Sequence, residues 1–284
     1  MKVNEIVTQK ILDELKKGSI PWHKPWLMSG HNKNLVSKKA YRGINIFLLG
    51  YGHQSPWWVT YKQATDLGGN VKKGEHGTMV VYFKMQEYVD TSDSTSDGIK
   101  RVPLLRYYNV FNVEQCEGLE SKIPPTMSRI VNRIEECEKI VEGYHNKPTM
   151  FESDRAAYAP HFDNLYMPPI NSFDTAEYYY AVLFHEYVHS TGHKDRLARK
   201  EIENVKPFGS EDYSKEELVA EIGSIFLYNK VGIERTFNNS IAYIQSWMKR
   251  LSDDHNLIIS AASQAQKAYD YILGIKEDNN GNGN

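Results

Sequence analysis

The chain has 284 residues, a formal net charge of −2 and 40% hydrophobic residues, which suffice for one large or two ordinary domains with a substantial core. No apolar run approaches the length of a membrane span and the N-terminus lacks a signal-peptide core, so we expect a soluble protein of the cytoplasm with no membrane partner. The two cysteines, Cys116 and Cys137, are neither a disulfide framework nor a C-x-x-C pair, which agrees with a reducing compartment.

The first 84 residues are basic, with 13 Lys and Arg against five Asp and Glu, and they hold four of the five tryptophans. Apolar spacing over residues 3–17 predicts a helix that ends at Gly18. Basic side chains interleaved with exposed aromatic rings suit single-stranded nucleic acid, because cations follow the phosphates and rings stack on bases. Composition alone favours the alternative that these tryptophans are core residues.

Strand and turn patterns continue to about residue 115. The predicted elements are three strands and a short helix, at residues 56–61, 77–89, 101–113 and 61–69. They predict a small α+β domain over residues 1–115. The charged, proline-containing stretch 116–127 predicts a linker, and helical periodicity restarts over 128–144.

Two short strands are predicted before the central helix of the second half, around Tyr158 and at residues 164–168, joined by a turn. The edge of such a small antiparallel sheet can pair with an extended peptide. Further helices over residues 239–274 are expected to pack behind the site, and the polar stretch 276–284 is expected to be a disordered tail. We therefore predict a mainly helical second domain over residues 128–275.

The central helix carries the strongest chemical motif, since "HEYVH" places His185 and His189 four residues apart on one helical face. Two imidazoles on one face can bind one Zn²⁺, and Glu186 is predicted as the general base that takes a proton from the attacking water. This is the H-E-x-x-H pattern of zinc metallopeptidases. The alternative is a chance match, but a buried helix with these polar groups and no metal would leave them unsatisfied.

A catalytic zinc site needs a third protein ligand, for which Glu217 on a second predicted helix is the first choice. Glu217 and Glu221 resemble the second helix of gluzincins, which implies that Glu217 is the ligand and that Glu221 orients a ligand histidine or replaces Glu217. The alternative role for Glu217 is a capping box with Ser214. Asp195, where short-linker zincins keep their third ligand, and His193 are the other candidates, and neither displaces Glu217.

Across nearly its whole length the sequence resembles the ArdC-type antirestriction proteins of plasmids, phages and integrated elements. The runs that carry the resemblance are "GSIPWHKPW", "YRGINIFLL", "WWVTYKQATDLGGNVKKGEHGTMVVYF", "YYAVLFHEYVHSTGHKDRL" and "FGSEDYSKEELVAEIGSIFL". The resemblance implies a single-stranded-DNA-binding N-terminal domain followed by a zincin-like metallopeptidase domain. It favours the DNA interpretation for Trp22, Trp26, Tyr41, Arg42, Trp57 and Trp58. The lysines expected to be exposed and to bind phosphates are Lys38, Lys39, Lys72 and Lys73.

We therefore predict a zinc-dependent, single-stranded-DNA-binding antirestriction protein of a mobile element, whose peptidase domain acts on a host protein such as a restriction component. One alternative is a DNA-coating protein whose zinc domain is structural or inactive. An intact Glu186 argues against this, because a structural zinc site needs no general base. Another alternative is a plain intracellular zinc peptidase without DNA binding, and the charge asymmetry argues against it.

Overall fold

The computed structural model of the protein describes residues 2–17, 32–50, 53, 55–89, 99–124, 133–203, 211–233 and 241–276. Within these ranges the fold is mixed α+β, as predicted, with larger sheets in the N-terminal part and mainly helices in the C-terminal part. Among the helices of these ranges, none combines the length and the apolar character that a membrane crossing requires.

The N-terminal part contains a four-stranded sheet of order β1-β2-β5-β4 and a small two-stranded sheet of β3 and β6. Its helices are α1 (Val3–Lys16), α2 (Ile44–Leu48) and α3 (Tyr61–Asp66). Its strands are β1 (Lys33–Asn34), β2 (Trp57–Val59), β3 (Asn70–Val71), β4 (Thr78–Val89), β5 (Ile99–Asn112) and β6 (Cys116–Glu117). The predicted first helix, short helix and three strands are all present.

The antiparallel pair of β4 and β5 dominates this part, with a register that runs from Thr78 opposite Val110 to Val89 opposite Ile99. Its base is fixed by burial, since Val80 and Val110 are both 0% exposed. Alternation of side chains along a strand then commits every other residue of the pair to a face. The predicted loop at residues 91–98 lies outside the described residues.

The stretch 116–127 is not simply a linker. Its first residues form β6, which pairs with β3, and Leu119 is 1% exposed in a cluster with Val59 and Val113. Gly118, at φ 76°, provides the turn that lets the chain fold back. The charged and proline residues of this stretch predict a linker, but the single buried leucine, Leu119, anchors its first part in the fold.

The C-terminal part packs helices around a three-stranded sheet of order β7-β9-β8, in which β8 is an edge strand. The strands are β7 (Thr149–Glu152), β8 (Ala157–Ala159) and β9 (Asn164–Met167). The helices are α4 (Arg133–Gly143), α5 (Ala176–Ser190), α6 (Lys200–Glu203), α7 (Glu211–Val231), α8 (Ile241–Asp253) and α9 (Leu257–Ile272). The two predicted short strands are β8 and β9. Strand β7 was not predicted, because all four of its residues are exposed and show no alternation. Residues 277–284, predicted as a tail, lie outside the described ranges.

One hydrophobic core joins the two parts of the chain. Val7 and Ile11 of α1 and Phe47 of α2 belong to the same buried cluster as α5, α7 and α9, and the ring of Phe47 lies 5.9 Å from that of Phe226. Polar contacts follow the same path, since the guanidinium of Arg42 pairs with the carboxylate of Asp270 on α9. Residues on both sides of the predicted domain boundary therefore pack together in this one core.

A cavity made at Phe47 should destabilise both parts together. We expect Phe47→Ala to lower the free energy of unfolding by about 3–5 kcal/mol, and to shift a single thermal transition seen equally by circular dichroism and tryptophan fluorescence. Val36→Ala, at a side chain that is 49% exposed in the same part of the chain, is the control and should change stability by no more than about 0.5 kcal/mol. Two separate transitions, of which only one moves, would contradict a shared core.

Candidate metal centre

Helix α5 presents a polar face to a cleft while its apolar face is buried. The Thr175 hydroxyl caps its start by accepting the Tyr178 N–H at 3.1 Å, and Phe184 and Val188 are 0% exposed. Because one side of the helix is fixed in the core, the histidines of the motif project from the other side. The motif is thus held on a rigid element.

Three side chains from α5 and α7 converge at this face. The Nε2 atoms of His185 and His189 lie 3.1 Å apart, and the carboxylate oxygens of Glu217 lie 3.5 Å from each of them. Two ligands on a tetrahedral ion with bonds of about 2.05 Å would be about 3.3 Å apart, and the observed separations bracket that value. Within the described residues these three form a group able to hold a metal ion.

The electrostatics of the cluster favour a cation between its ligands. Burial opposes protonation of His189, but its hydrogen bonds with Glu216 and Glu217 outweigh that effect and raise the pKa of His189 to about 10. Burial likewise acts to raise the pKa of Glu217, yet hydrogen bonds with His185 and His189 hold that pKa well below its usual range. The carboxylate stays ionised, and the space between the ligands attracts positive charge.

A buried ion pair supports the cluster from behind. Arg199 donates two hydrogen bonds to Glu216, from Nε at 2.9 Å and from Nη2 at 2.6 Å, and Glu216 lies 3.1 Å from Nδ1 of His189. Arg199 also donates to the Thr191 hydroxyl and to the Val188 carbonyl, both at 2.7 Å, at the end of α5. Glu216 therefore fixes the ring of His189 so that Nε2 faces the cluster.

Gly192 is required for this arrangement. A Cβ atom there would lie 2.5 Å from Cγ1 of Ile202 and 3.0 Å from Nη2 of Arg199, both too close for a side chain to be added without movement. The absence of a side chain at Gly192 thus makes room for the arginine that supports the site.

Glu186 is held by the edge strand. The backbone N–H of Tyr158 in β8 donates to Oε2 of Glu186 at 2.8 Å, and the Tyr158 hydroxyl donates to Asp163 at 2.8 Å. Arg196 donates two hydrogen bonds of 2.7 Å to the carboxylate of Asp163 and a third, of 3.0 Å, to the Ser190 carbonyl. Arg196 and Asp163 therefore join the β8–β9 turn to the end of α5 and keep β8 against the motif.

These elements enclose a cleft of about 320 Å³. The residues that line it are Ala156, Ala157, Tyr158, Pro160, His185, Glu186, His189, Glu201, Ile202, Glu216 and Glu217. The three candidate metal ligands, the general-base candidate Glu186 and the edge strand β8 thus line the same cleft.

The remaining ligand candidates lie outside the cluster. Glu221, half-buried, follows Glu217 by one turn of α7, and the carboxylate bonded to the His189 ring is that of Glu216 instead. Asp195 has a side chain that is 73% exposed and lies 3.5 Å from Nδ1 of His193. Ser214 lies inside α7, which already runs from Glu211, so the capping-box alternative for Glu217 does not hold.

Several residues predicted to contact DNA are placed elsewhere. Trp58 is 0% exposed, its Nε1–H donates to Asn32 at 2.9 Å, and Tyr41 is 9% exposed. This corrects the stacking role predicted for Trp58 and Tyr41, since neither ring is open to a base. Arg42 binds Asp270 across the shared core.

Two of the other residues predicted to contact DNA, Trp22 and Trp26, lie outside the described residues. The remaining ones, Trp57 and the four lysines, lie at least partly at the surface. Trp57 is half-buried, with Nζ of Lys38 4.9 Å from its ring centroid. The exposed lysines are Lys38, Lys39, Lys72 and Lys73, of which Lys72 also donates to the Glu114 carbonyl at 2.8 Å.

Comparisons with known proteins agree with this picture of two parts. Residues 1–111 match the N-terminal domain of the anti-restriction factor ArdC, and residues 135–264 match a family of zincin-like metallopeptidases. In an alignment of 292 positions that covers 96% of this chain, it is 36% identical to a DNA primase TraC of Escherichia coli, of which it spans 20%. It is 31% identical to the uncharacterized protein y4eC of Sinorhizobium fredii, with 97% of this chain and 93% of that protein covered.

Solved structures extend the similarity to the whole fold. The metal-free crystal structure of the antirestriction ArdC protein from plasmid R388 is similar with a TM-score of 0.77 at 36% identity, covering 97% of this chain and 98% of that one. Its Mn(II)-bound structure gives 0.78 at 35% identity, covering 98% and 99%.

Loss of the Glu216 carboxylate should weaken metal binding even though Glu216 is not a ligand. We expect Glu216→Gln to lower Zn²⁺ affinity about 10- to 100-fold, because the histidine ring loses its orienting partner. Competition with a chromogenic chelator measures this. Glu201→Gln, which removes a carboxylate from the same cleft but from outside the three-ligand group, should bind nearly as wild type. Equal losses in the two variants would mean that only the charge of the cleft matters.

Proposed function

The chain belongs to the ArdC antirestriction protein family and carries a zincin-like metallopeptidase domain, and from this premise we propose that it binds single-stranded DNA and hydrolyses peptide bonds. Its role would be to protect the incoming DNA of a mobile element from host restriction, and its protein substrate would be a host protein such as a restriction component. The observation that carries the peptidase proposal is the convergence of His185, His189 and Glu217 beside Glu186.

A metal is implied by the zincin-like domain, and two imidazoles with one carboxylate suit Zn²⁺, which uses such a set with one open position in catalytic sites. Bound there, zinc would supply Lewis acidity and lower the pKa of water to about 7. Glu186 would accept the proton of the attacking water through the oxygen that Tyr158 does not hold, and deliver it to the leaving amine. The Tyr158 N–H holds that carboxylate at the edge of the cleft.

The edge strand supports a peptide as the substrate. Among the described residues, strand β8 borders the cleft and pairs with β9 on one side only. An extended peptide can add to the other side, beside the Tyr158 N–H that Glu186 accepts. An added strand would run past Glu186 and the metal cluster. Main-chain pairing of this kind tolerates many sequences, which suits an unfolded or flexible segment as the target.

Single-strand binding is proposed for the N-terminal part on the basis of its charge and its exposed lysines. Residues 1–84 carry the basic excess of a chain that is slightly acidic as a whole, and Lys38, Lys39, Lys72 and Lys73 are exposed. Both cysteines are buried and free, which agrees with the reducing cytoplasm that we propose as the compartment.

Substitution at the motif should separate metal binding from catalysis. We expect Glu186→Gln to keep about one Zn²⁺ per chain and to abolish cleavage of unfolded casein, because it removes the base and leaves the ligands. The His185→Ala, His189→Ala double variant should lose both. Metal analysis and a peptidase assay, with and without single-stranded DNA, provide the measurements. Full zinc content in the double variant, or full activity in Glu186→Gln, would refute the assignment.

Binding to DNA should depend on strandedness and salt. The full chain is expected to prefer a single strand over a duplex of equal length, whose bases are already stacked, with a log–log salt slope of about −0.7 per neutralised phosphate. Changing Lys38, Lys39, Lys72 and Lys73 to Gln should weaken binding and flatten the slope while zinc content stays constant. Fluorescence anisotropy over a salt series tests both statements. Equal affinity for single strand and duplex would remove the proposed DNA function.

A further inference from the structure

The β4–β5 hairpin carries several of the large apolar rings that the described residues leave open to solvent. Tyr82 is 39% exposed, Phe83 57% and Tyr107 50%. Exposed tyrosine and phenylalanine rings in one small region are unusual on a surface that only faces water. The two faces of the hairpin differ in whether these rings have positively charged neighbours.

One face combines aromatic rings with cations. Tyr82 lies opposite Arg106, and Lys84 lies opposite Leu104 in the register. Tyr108 shares this face, since its ring lies 5.7 Å from that of Tyr82. Side chains at such cross-strand and diagonal positions are within reach of one another. We call Tyr82, Lys84, Arg106 and Tyr108 the hairpin face.

The opposite face has aromatic rings without cations. In the described side chains, 78–84 and 104–112, its members are Met79, Val81, Phe83, Leu105, Tyr107, Asn109 and Phe111. Met79 and Val81 are buried in the core shared with the C-terminal helices, and Leu105 packs against that core. This face is therefore largely committed to internal packing.

The hairpin face is electropositive and rigidly supported. Residues 78–84 and 104–112 contain no Asp or Glu, so the charges of Lys84 and Arg106 have no carboxylate on these segments to offset them. Beneath the face, Tyr108 packs against a buried cluster that includes Trp58 and Tyr41. Rings held by a rigid base lose little conformational entropy when a base stacks on them.

We propose that single-stranded DNA stacks its bases on the ring of Tyr82, with the neighbouring ring of Tyr108, while Lys84 and Arg106 bind its phosphates. This inference rests on the proposed single-strand binding and moves its stacking surface from the buried Trp58 and Tyr41 to the hairpin face. Rings and cations alternate there at neighbouring positions, which is what a single strand requires and what a duplex, with its bases paired inside, does not use.

The test compares the two faces of one hairpin in the full-length, zinc-loaded protein. Tyr82→Ala should weaken binding of a fluorescein-labelled oligothymidine about 5- to 100-fold, the range of one lost stacking contact. Tyr82→Phe should bind as wild type, because the ring is kept. Tyr107→Ala, which removes an equally exposed ring from the opposite face, should change binding less than about twofold.

The cations are tested by the salt slope. Lys84→Gln with Arg106→Gln should weaken binding and flatten the slope by about 1.4, the value for two phosphates on a single strand. Lys230→Gln, which removes an exposed positive charge from α7, should leave the slope unchanged. Thermal melting and zinc content show whether each variant is folded. Photocrosslinking of the wild-type protein to an iodouracil oligonucleotide, followed by peptide mapping, gives a result that no variant can distort and should label Tyr82 or Tyr108.

The outcomes separate this inference from the function on which it rests. If the wild type prefers single strands but the hairpin-face variants bind normally, or Tyr107→Ala costs as much as Tyr82→Ala, the DNA function stands and the hairpin face is wrong. Crosslinks confined to other segments have the same meaning. If the wild type shows no preference for single strands, both proposals fall.

Discussion

The arrangement of the candidate site depends on a buried ion pair, Arg199 with Glu216, at the end of α5. A carboxylate that is 4% exposed would be costly beside a second carboxylate, Glu217, if it had no cation of its own. Arg199 supplies that cation through two hydrogen bonds to Glu216, and it also donates to the Val188 carbonyl near the end of the helix. One side chain thus closes the helix, neutralises Glu216 and, through Glu216, orients His189. Removing it would leave the buried Glu216 carboxylate without its cation and would weaken the support for the His189 ring.

The parts of this site that could be predicted are those set by local geometry. His185 and His189 are one helical turn apart with Glu186 between them, and Glu217 is predicted from its helical segment and from the spacing of Glu217 and Glu221, which resembles that of gluzincins. Glu216 and Arg199 could not be found in this way, because their importance comes from a contact between two helices and a loop. Glu216 directly precedes Glu217, and nothing in the pair E-E indicates which carboxylate faces the two histidines and which faces the arginine. The same limit applies to Leu119 and β7, whose positions depend on partners distant in sequence.

The shared core holds the N-terminal and C-terminal parts of the chain in a fixed relative position. The order of motifs in the sequence does not reveal this packing. Helix α1 begins the sequence yet packs against α8 and α9 at its other end, and the polar contact of Arg42 with Asp270 lies on the same path. A rigid junction of this kind would fix the distance between the cleft and a single strand bound at the proposed DNA surface. Proteins held close to that strand would then reach the site at a high effective concentration, which lets a cleft with broad sequence tolerance act selectively.

The aromatic and basic composition of the N-terminal part suggests a nucleic-acid partner, but composition alone does not show which of the aromatic rings lie on the surface. A strand places successive side chains on opposite faces, so a run rich in Trp and Tyr contributes to a core and to a surface in equal measure. In this fold Trp58 on β2 is buried and Tyr108 on β5 packs against it, whereas Tyr82 on β4 is exposed. The buried rings would still support the proposed DNA contact, because they pack beneath the face that carries the exposed ones. Only the register of β4 against β5 shows that Lys84 and Arg106 share a face with Tyr82, and the combination of charge and ring on that face distinguishes it from the equally aromatic face behind it.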